Sequence, residues 1–74
     1  MAFEKIKQIL CNDFEIDDID ITLDSAFLED LGLDSIDMVD LTMSIEDEFE
    51  MELPDEELER ITTVGDLVKF VEEN

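Results

Sequence analysis

Between Asp34 and Glu50 the large side chains fall on two opposite sides of a single helix, and this restricts the fold more than anything else in the chain. At about 100° per residue, Met38, Leu41, Thr42, Ile45 and Phe49 gather on one side, which demands a core. On the other side, Ile36, Val39 and Met43 are interleaved with Asp37, Asp40, Glu46, Asp47 and Glu50. Single exposed apolar residues need no explanation. Three along one ridge, ringed by carboxylates, have the composition of an interface with an apolar centre and a charged rim.

The start of this helix concentrates the chemistry. A glycine-containing turn, Leu31-Gly32-Leu33, runs into Asp34 and Ser35. Either of those two can cap the free backbone N–H groups, and Asp37 suits the first turn. A helix N-terminus also attracts a phosphate. Asp34 and Asp37 oppose that attraction, so a phosphate carried on Ser35 would stay exposed and mobile. Sequence position leaves both roles open for Ser35, the cap and the phosphate carrier.

The other segments read as scaffold. Phe3, Ile6, Ile9, Leu10 and Phe14 have helical spacing, with a wet face of Glu4, Lys5, Lys7, Gln8 and Asn12. From Glu15 to Glu29, isoleucines and aspartates partly alternate, but no second such run exists to pair with a strand. The segment is therefore expected to be a long loop, pinned by Ile16, Ile21, Phe27 and Leu28 and containing at most a helical turn. Its aspartates do not make an EF-hand: starting at Asp18 or Asp20 puts Leu23 or Ser25 where the sixth-position glycine belongs. Pro54 and the acidic Asp55, Glu56 and Glu57 open a short third helix with Leu58 and Ile61 inward. Thr63-Val64-Gly65-Asp66 matches a capping box. It starts a last helix to about Glu72, with Val64, Leu67, Val68 and Val71 inward and Phe70 at the edge. The expected fold is all-α: a small four-helix bundle with a long first loop and a short third helix.

Charge decides which partners are possible. Twenty-four carboxylates against four basic residues and no histidine give a net charge of −20. Such a chain repels nucleic-acid phosphates and anionic membranes, and its field speeds encounter with basic protein surfaces. Hydrophobic residues make up 45% of the chain, too many for an acidic disordered tail. Cys11 is the single cysteine, so no internal disulfide forms; the lack of histidine removes the usual zinc sites and His-based triads. No apolar run approaches a membrane span and no signal peptide opens the sequence, which points to the cytoplasm; the protein is expected to be a monomer.

Three stretches resemble the acyl carrier proteins of discrete, bacterial fatty-acid synthesis: Phe27-Leu28-Glu29-Asp30-Leu31-Gly32-Leu33-Asp34-Ser35-Ile36-Asp37, Leu53-Pro54-Asp55-Glu56-Glu57 and Ile61-Thr62-Thr63-Val64. The resemblance implies one carrier domain over residues 1–74. It implies that Ser35, beside Asp34, bears 4′-phosphopantetheine transferred from coenzyme A by a carrier-protein synthase. The arm would carry growing acyl chains as thioesters, and the protein itself would catalyse nothing. The partner face implied by position comprises Asp34, Ile36, Asp37, Asp40, Met43, Glu46 and Asp47, with contributions from Val39 and Asp55. It would meet basic patches on the synthase and the pathway enzymes. The implied acyl-chain cavity is formed by Phe27, Met38, Thr42, Ile45, Leu58 and Ile61. Ile36 stands where the family usually has leucine, and Met38 and Leu58 are bulkier than the small residues often found near the cavity.

Two other readings compete. One is a specialised carrier for polyketide, lipid A or D-alanine pathways. The other is an acidic interaction module that is never modified, in which Ser35 matters only as a cap.

Overall fold

A computed structural model describes residues 2–73 and contains four helices. These are α1 (Ala2–Phe14), α2 (Ser35–Phe49), α3 (Asp55–Arg60) and α4 (Val64–Glu73), with a turn of 3-10 helix at Asp18–Asp20 in the long first loop. Apart from one isolated antiparallel bridge, Ala26 to Thr63, no strand occurs among the described residues. The expected all-α bundle is the observed one.

The core follows the periodicities. Ile6 and Leu10 of α1, Leu41 and Ile45 of α2, and Val64, Leu67, Val68 and Val71 of α4 are buried together with Ile21, Phe27, Leu33, Leu53 and Ile61. α1 packs against both α2 and α4. Met38, Phe49, Leu58 and Phe70 lie half-buried against this core. Two helices end in left-handed residues: Glu15 (φ +54°) follows α1, and Glu50 (φ +52°) caps α2 with its N–H donating to the Glu46 carbonyl. Left-handed C-terminal residues satisfy carbonyls that the helix leaves unpaired.

The long loop is held more tightly than its sequence indicates. Phe27 N–H donates to the Thr62 carbonyl (3.0 Å), Val64 N–H to Ser25 (2.9 Å) and Gly65 N–H to Leu23 (2.8 Å). These bonds fasten the loop to the α3–α4 link and the first residues of α4. Ser25 is buried: its hydroxyl accepts from Thr22 N–H and donates to the Asp20 carbonyl, each at 3.0 Å. Lys7 clasps the same loop from α1 through a 2.6 Å ion pair with Asp18, and that bond raises the Lys7 pKa above its ordinary value. Of the four expected pins, Ile21 and Phe27 are buried and Ile16 is half-buried. Leu28 is a correction: it is 59% exposed. In this turn Phe27 takes the inward place, and Leu28 after it faces out.

Candidate functional site

The site begins at Gly32, whose φ of +71° lies in the left-handed region that favours glycine. Nothing crowds the position of its missing Cβ, so the backbone angle alone calls for glycine there. Leu33 follows, buried, with its N–H donating to the Phe27 carbonyl at 3.0 Å. The chain thus arrives at Asp34 in extended conformation, fixed to the loop. The Asp34 carboxylate accepts from Asp37 N–H at 2.9 Å, and the Asp37 carboxylate accepts in return from Asp34 N–H at 3.3 Å. This reciprocal pair is a capping box made from two aspartates.

The pair decides which of the two residues caps the helix. Asp34 is the cap, and Ser35 is the first residue of α2. The Ser35 side chain is exposed, and its hydroxyl has no hydrogen-bond partner among the described residues.

Ser35 also stands on the rim of a groove of about 520 Å³. Phe27 and Leu28 of the loop, Met38 and Val39 of α2, Leu58 of α3 and Ile61 of the following link supply its apolar lining; Asp55, Glu59 and Thr62 complete it. A groove of this size falls within the range of small-molecule sites. Four of the six expected cavity positions are brought together here: Phe27, Met38, Leu58 and Ile61. Thr42 and Ile45 are outside its lining. The Thr42 hydroxyl turns back to donate to the Met38 carbonyl at 2.8 Å, and Ile45 is fully buried in the core.

The outer side of α2 is as amphipathic as its sequence. Ile36 is 73% exposed, Met43 59% and Val39 54%, with Asp40 and Asp47 exposed beside them. Among the described residues no ion pair involves Asp37, Asp40 or Asp47; Lys5, Lys7 and Arg60 instead meet Glu48, Asp18 and Glu57. The carboxylates expected on this face are not equivalent. Asp34 and Asp37 are engaged in the cap. Glu46 is half-buried and accepts from Leu53 N–H at 2.8 Å, so it fastens the α2–α3 link. Asp55 opens α3 and lines the groove, which places it on the same opening as Ser35 and Val39.

Residues 4–71 match the family described as the phosphopantetheine attachment site. An acyl carrier protein of Clostridium acetobutylicum is 46% identical over 71 residues, which cover 96% of this chain and 92% of that protein. An acyl carrier protein of Clostridium perfringens is 44% identical over 72 residues, covering 97% and 95%. One of Helicobacter acinonychis is 43% identical, covering 97% and 92%. This chain belongs to the phosphopantetheine-attachment family of acyl carrier proteins.

The group for which this carrier family is named can be tested against the three serines of the chain. Ser25 is buried and its hydroxyl is doubly engaged. The Ser44 hydroxyl donates to the Asp13 carboxylate at 3.1 Å. Ser35 alone is exposed with its hydroxyl unengaged, and a phosphopantetheine fits there without cost to the helix cap. Asp34 and Asp37 next to that position and Asp55 in the groove lining add negative charge there, which would turn an attached phosphate towards solvent rather than onto the N-terminus of α2. Leu28, Glu59 and Thr62 line the groove without having been expected there. The Phe27-Leu28 pair carried no signal for this, since two adjacent apolar residues can both be buried, as Leu67 and Val68 are. Among the described residues no helix is long and apolar enough to cross a membrane.

Proposed function

We propose that this protein is a cytoplasmic, non-catalytic carrier, a single domain that receives 4′-phosphopantetheine on the Ser35 hydroxyl and delivers acyl chains to the enzymes of fatty-acid synthesis. The observation that carries this reading is the free, exposed Ser35 hydroxyl on the rim of an apolar groove. When attached, the group supplies a terminal thiol that holds the acyl group as a thioester. The chain supplies the rest. The Asp34–Asp37 cap fixes the α2 start without using Ser35. Phe27, Met38, Leu58 and Ile61 offer the alkyl portion an apolar surface. Ile36, Val39 and Met43 give docking enzymes an apolar centre, and Asp40, Asp47 and Asp55 meet basic residues around it. Rim charges of this kind act mainly on association rate and salt sensitivity. Docking of this sort suits a monomer that must leave one enzyme for the next.

The test is an intact mass after incubation with a carrier-protein synthase, coenzyme A and magnesium, alongside Ser35→Ala. The expected result is a gain of one phosphopantetheine in the parent and none in the variant. An unmodified, well-folded parent beside an active control carrier would favour the acidic interaction module instead.

A further inference from the structure

We propose that the apolar centre of the docking surface does not end with α2 but crosses the groove mouth to Leu28. An apolar side chain of a partner protein, flanked by lysines or arginines, would seat between Leu28 and Val39 beside Ser35. This deepens the carrier reading above and rests on it.

Leu28 is 59% exposed, yet it is not on a slack loop. Phe27 before it is fully buried and bonded through its N–H to Thr62, and the Asp30 and Leu31 N–H groups both return to the Ala26 carbonyl at 2.9 and 3.1 Å. The Asp30 carboxylate accepts from Ala26 N–H at 2.8 Å, which closes the turn from the other side. The turn holds Leu28 outward. Leu28 and Val39 both line the groove on which Ser35 opens, one from the loop and one from α2. Val39 in turn continues into Ile36 and Met43 along the helix. Of the six exposed large apolar side chains, Leu28 and Val39 thus share the groove with Ser35, and Ile36 and Met43 extend Val39 along α2, the kind of exposed apolar surface that marks interaction sites. The remaining two, Ile19 and Leu23, lie outside the groove lining.

Charge selects the occupant. Glu29 and Asp30 follow Leu28, Asp55 and Glu59 line the groove, and Asp40 follows Val39. An apolar centre with a carboxylate rim complements an apolar side chain set among cations, and central apolar anchors carry most of the energy in such contacts. The competing occupant is the alkyl cargo itself, for which Leu28 would be only a lip of the groove.

The experiment measures phosphopantetheine transfer kinetics with the synthase for the full chain and for Leu28→Ser, Leu28→Lys and Ile19→Ser. Leu28→Ser is expected to raise KM for the carrier about tenfold with kcat nearly unchanged, and Leu28→Lys more, because it also repels the basic rim of the partner. Ile19→Ser, at a position 87% exposed, should behave as the parent. Chemical-shift titration of the unmodified chain with the synthase should move Leu28 together with Val39 in the parent. An unchanged KM in both Leu28 variants overturns the proposal. So does an equal loss in Ile19→Ser, or a Leu28 effect confined to the lifetime of an attached acyl thioester. A parent that the synthase does not modify overturns the carrier reading instead, which keeps the two failures apart.

Discussion

Asp34 and Asp37 hold each other's backbone N–H groups, so the serine between them is free for chemistry. Under the carrier reading proposed above, the consequence is a separation of stability from function at adjacent residues. Asp34→Ala removes the side chain that accepts from Asp37 N–H, and loss of an N-cap costs about 1 kcal/mol. Ser35→Ala removes no hydrogen bond within the described residues and should change stability by less than about 0.5 kcal/mol, the usual range for a surface change. Urea unfolding of the two variants checks this. If Ser35→Ala proved as costly as Asp34→Ala, the serine would be part of the cap and the division would be wrong. Asp34→Asn, which keeps an accepting oxygen, should recover most of the Asp34→Ala loss.

At the scale of elements, the long loop and α4 depend on each other through Gly65. A Cβ placed there would come within 2.8 Å of the Leu23 carbonyl oxygen, the same atom that accepts Gly65 N–H. Backbone cannot swing aside as a flexible side chain can, so Gly65→Ala should push the loop off the start of α4. Forced overpacking of this kind typically costs about 1–3 kcal/mol. Faster amide exchange at Phe27 and Gly65, whose N–H groups bond across the seam, would accompany the lower urea midpoint, and an unchanged midpoint would contradict the prediction. The α4 start carries its own pH dependence. The Asp66 carboxylate accepts from Thr62 and Thr63 N–H at 3.1 and 3.2 Å, and these bonds hold its pKa below the ordinary aspartate range. A folded pKa lower than the unfolded one stabilises the fold fully above the unfolded value, and this contribution is lost as pH falls through the folded value. Thermal melts of the parent and Asp66→Ala should therefore differ by a constant amount at neutral pH and converge in acid. A gap that persists at the acid end would remove Asp66 as its source. The capping box at Thr63–Asp66 and the helix faces were legible because both are short-range patterns. The seam was not, because Ser25, Leu23 and Gly65 meet through backbone atoms of residues far apart in sequence, and side-chain periodicity carries no trace of that. The groove was half legible for a related reason. Helical spacing puts Thr42 and Ile45 on the same side as Met38, but it cannot say that a hydroxyl turns back on its own helix or that the core closes over Ile45.

The whole molecule is about 27 × 25 × 20 Å and carries a net charge of −20, and these two facts fix how it responds to salt. The screening length is about 30 Å at 0.01 M salt and about 10 Å at 0.1 M. In dilute buffer every carboxylate repels every other across the full width of the fold; at 0.1 M only neighbours interact. Unfolding lets the charges spread apart, so low salt should favour the unfolded chain and added sodium chloride should raise the melting temperature. Docking on a basic enzyme has the opposite sign, since the attraction that speeds association is screened by the same ions. Raising salt from about 0.01 to about 0.1 M should therefore stabilise the isolated protein while lowering its association rate with the synthase. Calorimetry across that range, with stopped-flow association measured in the same buffers, reads both. Asp40→Asn and Asp47→Asn together should flatten the association response more than the melting response, because these two carboxylates are a small part of the total charge but lie unpaired on the exposed side of α2. Equal flattening of both would mean that the acidic face adds only to the net charge and has no local role in docking.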